Sequence, residues 1–142
     1  GVPEERLYVY TLLDVCTRWA EAMAVLRNTN HASLRFIDRA RPVLPFRIAT
    51  LQSDHGSEFS KWFTKQVMVR GMAHRHSRVR TPSDNGHLER FNRTIQEECL
   101  NRMPRNLMRY QKELPAYLHY YNHERPHMAL KMQTPAEVLR SY

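Results

Sequence analysis

The stretch that most constrains this chain is residues 81–98, Thr-Pro-Ser-Asp-Asn-Gly-His-Leu-Glu-Arg-Phe-Asn-Arg-Thr-Ile-Gln-Glu-Glu. Leu88, Phe91, Ile95 and Cys99 recur at helical spacing, so one face of a helix must be buried here. Pro82 and Asp84-Asn85-Gly86 carry turn chemistry, which predicts a loop that hands over to the helix near Leu88. On that helix Glu89 falls beside the apolar stripe in the first turn, Arg93 is its i+4 neighbour, and Asn92 and Gln96 continue the polar side. A surface glutamate paired with Arg93 is the plain reading. A second carboxylate, Asp54 in Leu-Gln-Ser-Asp-His-Gly-Ser-Glu-Phe, argues against it, because its setting is equally particular.

With 142 residues, 42% of them hydrophobic, the chain has the length of a single domain with one real core. The helical pattern dominates from about residue 105 onward. Its formal charge of +8 favours a polyanionic partner such as nucleic acid over a small neutral ligand. Two cysteines, Cys16 and Cys99, make neither a disulfide framework nor a zinc pattern, and point to a reducing, cytoplasmic setting. The eight histidines are scattered, with no Cys-x-x-Cys beside them, and read as packing or solvent-facing groups rather than a zinc site. No apolar run reaches the roughly 20 residues needed to cross a bilayer.

Residues 7–13, Leu-Tyr-Val-Tyr-Thr-Leu-Leu, read as a strand buried on both faces, and residues 19–26 return after a short turn as its antiparallel partner. Residues 31–40 read as a helix capped by Thr29 or Asn30 and ended by Pro42 and Pro45. Residues 47–52 form a third strand running into Ser53-Asp54. Ser57 caps a helix that reaches Arg70, where Gly71 is a C-cap. Residues 72–76 make an edge strand, 77–83 a basic loop, and the helix from Leu88 breaks near Pro104. Leu107, Leu114, Leu118 and Tyr121 mark a further helix. Strands, a crossover helix, another strand and then several helices make an α/β plan.

Asp54 should project from the C-terminal end of its strand, where sites on α/β sheets gather, and Glu89 follows 35 positions later. Two carboxylates repel each other, and an arrangement that keeps both is compensated by divalent cations. Oxygen-only donors suit Mg²⁺ or Mn²⁺. A pair of such ions ~4 Å apart activates a water or a 3′-hydroxyl and stabilises the leaving oxygen in phosphodiester chemistry.

Four ordered motifs carry a family resemblance: Leu-Leu-Asp14-Val-Cys-Thr-Arg18-Trp, Ser53-Asp54-His-Gly-Ser-Glu58-Phe59, Pro82-x-x-Asn85-Gly86-x-x-Glu89-Arg90-x-Asn92-Arg93, and Tyr121-Asn-x-x-Arg125-Pro126-His127-x-Ala-Leu130 ahead of Thr134-Pro135. Nearly the whole chain resembles the catalytic core of the integrase and insertion-sequence transposase superfamily. The resemblance implies a ribonuclease H-like mixed sheet flanked by helices and an Asp, Asp, Glu triad. Asp54 is then the second carboxylate and Glu89 the third. The family's first Asp lies on a central strand ahead of the one at residues 7–13, and this chain begins after it. Asp14 does not replace it, since it occupies the strand-end turn, where a hydrogen-bonding role is expected. His55 stands where the family usually has Asn.

With its central strand absent the sheet would expose unpaired ladder groups, each costing on the order of 1–3 kcal/mol, so a preceding segment or a neighbouring chain is expected to supply it. Arg78, Arg80, Asn85, Arg93 and Gln96 form the expected DNA track, with sequence specificity arising from an upstream region. The resemblance implies metal-dependent DNA cleavage and strand transfer, with DNA ends and target DNA as partners and a homo-oligomer as the working form. A ribonuclease H-type nuclease that only hydrolyses, and an inactive remnant kept for DNA binding or oligomerisation, are the alternatives.

Overall fold

The computed structural model describes residues 4–53, 60–76 and 82–142, with side chains from 61 and 86 onward in the last two segments. The first two strands, β1 (Tyr8–Leu13) and β2 (Ala20–Val25), pair antiparallel from Tyr8↔Val25 to Leu13↔Ala20. The turn between them is tied by Asp14. Its amide donates to the Trp19 carbonyl at 2.9 Å, its carbonyl accepts from the Arg18 amide at 2.7 Å, and its Oδ2 accepts from both the amide and the hydroxyl of Thr17. Asp14 thus has the turn-binding role its position suggested. These bonds hold Arg18 at φ 65°, a left-handed conformation that costs a non-glycine residue roughly 1–2 kcal/mol.

Helix α1 (Asn30–Ala40) starts at Thr29, whose hydroxyl accepts from the Ala32 amide. It buries Ala32, Leu34, Phe36, Ile37 and Ala40. Strand β3 (Thr50–Ser53) is followed by α2 (Ser60–Val69) and β4 (Ala73–His76), and β3 pairs parallel with β4 from Thr50↔Ala73 to Ser53↔His76. Gly71, at φ +83°, turns the chain out of α2 as the glycine C-cap reading required. Two compact units result, Arg27–Gly86 and the pair of segments Gly1–Leu26 and His87–Tyr142.

Helix α3 (Pro82–Glu98) begins six residues earlier than the sequence pattern suggested. Pro82 has the fixed φ and missing amide that suit a first helical position, and the helix runs on through Asp84-Asn85-Gly86. The cost of one helical glycine, about 1 kcal/mol, is small beside the turns of hydrogen bonds gained, so local turn chemistry loses. After a 3-10 turn at Leu100–Arg102 comes α4 (Leu107–His123), capped by Asn106 and continuous through Pro115. The short α5 (Pro135–Arg140) closes the chain with a Thr134–Glu137 capping box.

The core of the first and last segments joins Leu7, Ala20 and Ala24 to Phe91, Ile95, Cys99, Tyr110, Leu114, Leu118 and Tyr121. Phe91 and Ile95 are 2% and 1% exposed, so each contributes roughly 1.5–3 kcal/mol of transfer free energy to holding α3 in place. One expectation needs correcting. Strand β1 is half-buried along its whole length rather than buried on both faces. Among the described residues the strands form two separate two-stranded sheets, β1–β2 and β3–β4, and β1 has a strand neighbour on one edge.

Candidate active site

Helix α3 presents its polar side because its apolar stripe is committed to the core. Glu89, Arg93 and Gln96 are all exposed on it. Glu89 lies two turns inside the helix, not in its first turn, a consequence of the early start at Pro82. Among the described residues no ion pair links Glu89 to Arg93 or to any other cation. Among the described residues its carboxylate oxygens are therefore not spent on a cation, against the plain surface-pair reading. Asn92, on the same helix, accepts a 2.7 Å hydrogen bond from the Thr11 hydroxyl and so fixes the rotation of α3 against β1. That bond joins two positions 81 residues apart.

Asp54, Arg78 and Arg80 lie outside the described residues. Asn85 is in α3, in the part where the backbone alone is described. The strand that leads to Asp54 is described up to Ser53, and its end is bonded sideways. Ser53 Oγ lies 2.7 Å from His74 Nε2, and the other ring nitrogen of His74 lies 2.7 Å from Thr64 Oγ1. Burial, and then the neighbouring His76, hold the His74 ring below its ordinary pKa. A neutral ring with one N–H fits between two hydroxyls, one donating and one accepting. The result ties β3, β4 and α2 together immediately before Asp54. His74 was read from sequence as a packing or solvent-facing group, and no spacing rule would have found this role.

Behind Glu89, roughly 100° around the helix axis, α3 lines a cavity of about 280 Å³. Its walls carry Arg18, His87, Arg90, Thr94, Arg125 and His127. Phe91 and Tyr121 also line it, their rings in edge contact at 5.0 Å. Arg125 is forked onto Glu98, with Nη2 to Oε2 at 2.7 Å and Nε to Oε1 at 2.9 Å, and Tyr117 donates to the same carboxylate at 2.7 Å. The Arg125 fork, with the Tyr117 bond, holds the Glu98 carboxyl below its usual range. Burial pushes the Tyr121 phenol up to about 12. Burial, and then Arg18 and Arg90, lower the pKa of the His87 ring.

Comparison with known proteins decides the family. The integrase core domain pattern matches residues 1–82, more than half of the chain, and a second integrase core domain pattern matches residues 70–135. The chain belongs to the integrase core domain family. It is 30% identical over 145 residues to the transposase InsD for insertion element IS2A/D/F/H/I/K of Escherichia coli, covering 96% of this chain and 48% of that protein. The chain spans about half the length of such curated relatives.

Among solved structures, the catalytic core domain of BIV integrase superimposes with a TM-score of 0.68 at 17% identity, over 99% of this chain and 90% of that one. A simian T-cell lymphotropic virus intasome in complex with the PP2A regulatory subunit B56 gamma gives 0.75 at 18% identity, over 92% of this chain and 47% of that one. The HTLV-2 integrase catalytic core in complex with magnesium gives 0.69 at 13% identity, over 94% and 84%. The fold is the ribonuclease H-like fold of integrase catalytic cores.

Proposed function

We propose that this chain is the catalytic core of a DNA transposase or integrase, in which Asp54 and Glu89 hold divalent metal and the exposed face of α3 carries the DNA. The observation that supports it most directly is Glu89 itself, an exposed carboxylate on a helix locked into the core, with no cation spent on it among the described residues. Among those residues no three His, Cys, Asp or Glu side chains converge as a metal set. The fit therefore rests on donor chemistry: carboxylate oxygens at Glu89 and Asp54 suit Mg²⁺ or Mn²⁺. When bound, such ions supply an activated water or 3′-hydroxyl and stabilise the leaving oxygen.

The remaining work falls to the chain's own side chains. Arg93 and Gln96, one and two turns beyond Glu89, offer donors to backbone phosphates, and Arg78, Arg80 and Asn85 extend the track. Asn92 holds the helix so that Arg93 and Gln96 keep a fixed orientation to β1. His74, through Ser53, steadies the strand end from which Asp54 follows. In this reading the working form is a homo-oligomer that brings DNA ends and target together in the cytoplasm of a bacterial cell. Among the described residues no helix is long and apolar enough to cross a membrane.

The test is a pair of assays on the protein as encoded, in Mg²⁺ and in Mn²⁺: cleavage at a DNA end, and joining of a pre-cut end to target DNA. Glu89→Gln is expected to lower both by at least about 100-fold, since even the outer partners of metal ligands cost 10–100-fold. Joining activity that survives Glu89→Gln rejects the assignment. Cleavage without any joining of the pre-cut end would favour a purely hydrolytic nuclease instead.

A further inference from the structure

We propose that the cavity behind Glu89 is a phosphate-binding site, built by Arg18 and Arg90 with His87 and Thr94, that takes a backbone phosphodiester of DNA. The identity of the phosphate rests on the DNA reading above; the existence of the site does not.

Three guanidinium groups and two imidazoles line the cavity, and among the described residues no carboxylate lines it. Arg125 is accounted for by its fork onto Glu98. Arg18 and Arg90 have no carboxylate partner among the described residues; Arg18 Nη2 instead lies 3.5 Å from His87 Nε2. Two guanidinium groups, Arg18 and Arg90, brought into one concavity without a counter-charge among the described residues are the arrangement that an oxyanion completes.

Arg18 stands at φ 65°, and the hydrogen bonds of Asp14 to Thr17, Arg18 and Trp19 enforce that conformation. A non-glycine residue is kept in the left-handed region only where its surroundings over-determine it, which is common at ligand clamps. Arg90 and Thr94 are i, i+4 neighbours on α3, so a guanidinium and a hydroxyl point into the same space.

At about 280 Å³ the cavity falls just below the ~300–1,000 Å³ of pockets for larger ligands, and suits a single phosphate with its waters. A strand passing Glu89 would then be held at two places on α3, at Arg93 on the exposed face and at Arg90 around the helix.

Two titrations on the full chain test this. In the first, inorganic phosphate is titrated calorimetrically at constant ionic strength. Saturable binding is expected, weakened about tenfold by Arg18→Asn, which tolerates the left-handed backbone, and by Arg90→Gln, which alters an exposed side chain. Arg109→Gln, an exposed arginine elsewhere, should change nothing, and thermal unfolding of each variant establishes that it is folded. Absence of saturable binding, or equal weakening by Arg109→Gln, overturns the site.

In the second, binding of a short DNA duplex is followed against salt, and each of the two variants is expected to reduce the slope of log K against log salt by about one. Unchanged slopes with phosphate binding intact would assign the site to free phosphate and overturn the phosphodiester. No duplex binding at all with phosphate binding intact would defeat the DNA reading and leave the phosphate site standing.

Discussion

At the scale of single residues, Asn122 does the most structural work for its size. It is 2% exposed, and its amide completes a pair of 2.9 Å hydrogen bonds with the backbone of Ala20, Oδ1 accepting from the amide and Nδ2 donating to the carbonyl. The side chain imitates one rung of a strand ladder and welds α4 to β2. Asn122→Ala leaves a buried donor and a buried acceptor without partners, so a loss of about 2–5 kcal/mol is expected, read as a lower urea midpoint at unchanged m-value. Asn122 lay inside a motif recognised from sequence, yet its function there was not legible, because its partner is 102 positions away and no local rule connects them. The same holds for the cavity. Arg18 and Arg90 each sit in a quoted motif, but only the packing of α3 beside the β1–β2 turn brings them onto one wall.

At the scale of elements, what sequence revealed were features set by short-range pattern: the hairpin, the Thr29-capped helix, the Phe91–Ile95–Cys99 stripe and the Gly71 stop. What it misplaced were features in which tertiary packing outweighs local preference. The Asp84-Asn85-Gly86 run favours a turn by itself, and becomes helix because the buried stripe beyond it anchors one. Helix α4 is a similar contest. Pro115 lies exposed within it, lacking an amide, and is tolerated because Tyr110, Leu114, Leu118 and Tyr121 are buried on the other side. Pro115→Ala should therefore stabilise the protein, by about 1–3 kcal/mol, seen as a raised unfolding midpoint.

The Glu98–Arg125 fork, which links α3 to the segment after α4, gives a pH signature. The folded state holds Glu98 below its ordinary pKa. Unfolded chains therefore bind its proton more readily, and the contribution is complete above the usual glutamate value of ~4.3 and disappears as pH falls through the lower folded value. Denaturant midpoints of wild type and Glu98→Gln should consequently differ at pH 6 and converge in acid. Curves that stay parallel from neutral pH into acid would show that the fork contributes nothing.

At the scale of the whole molecule, the formal charge of +8 is spread over 22 basic and 14 acidic residues, so attraction to a polyanion depends on where the cations stand rather than on how many there are. The proposed DNA contacts involve five arginines: Arg78, Arg80 and Arg93 on the track, Arg18 and Arg90 in the cavity. If each neutralises one phosphate, counterion release gives a slope of log K against log salt near −4.5, from ~0.9 per contact. A fourfold rise in salt should then weaken duplex binding roughly 500-fold. A diffuse basic surface behaves differently under mutation. Its slope is insensitive to which arginine is removed, whereas a defined track loses about one unit for each of the five and nothing for Arg109. Fluorescence anisotropy on one labelled duplex across a salt series, repeated for each single variant, separates the two. A wild-type slope shallower than about −2 would mean that the cations are not aligned along a backbone at all.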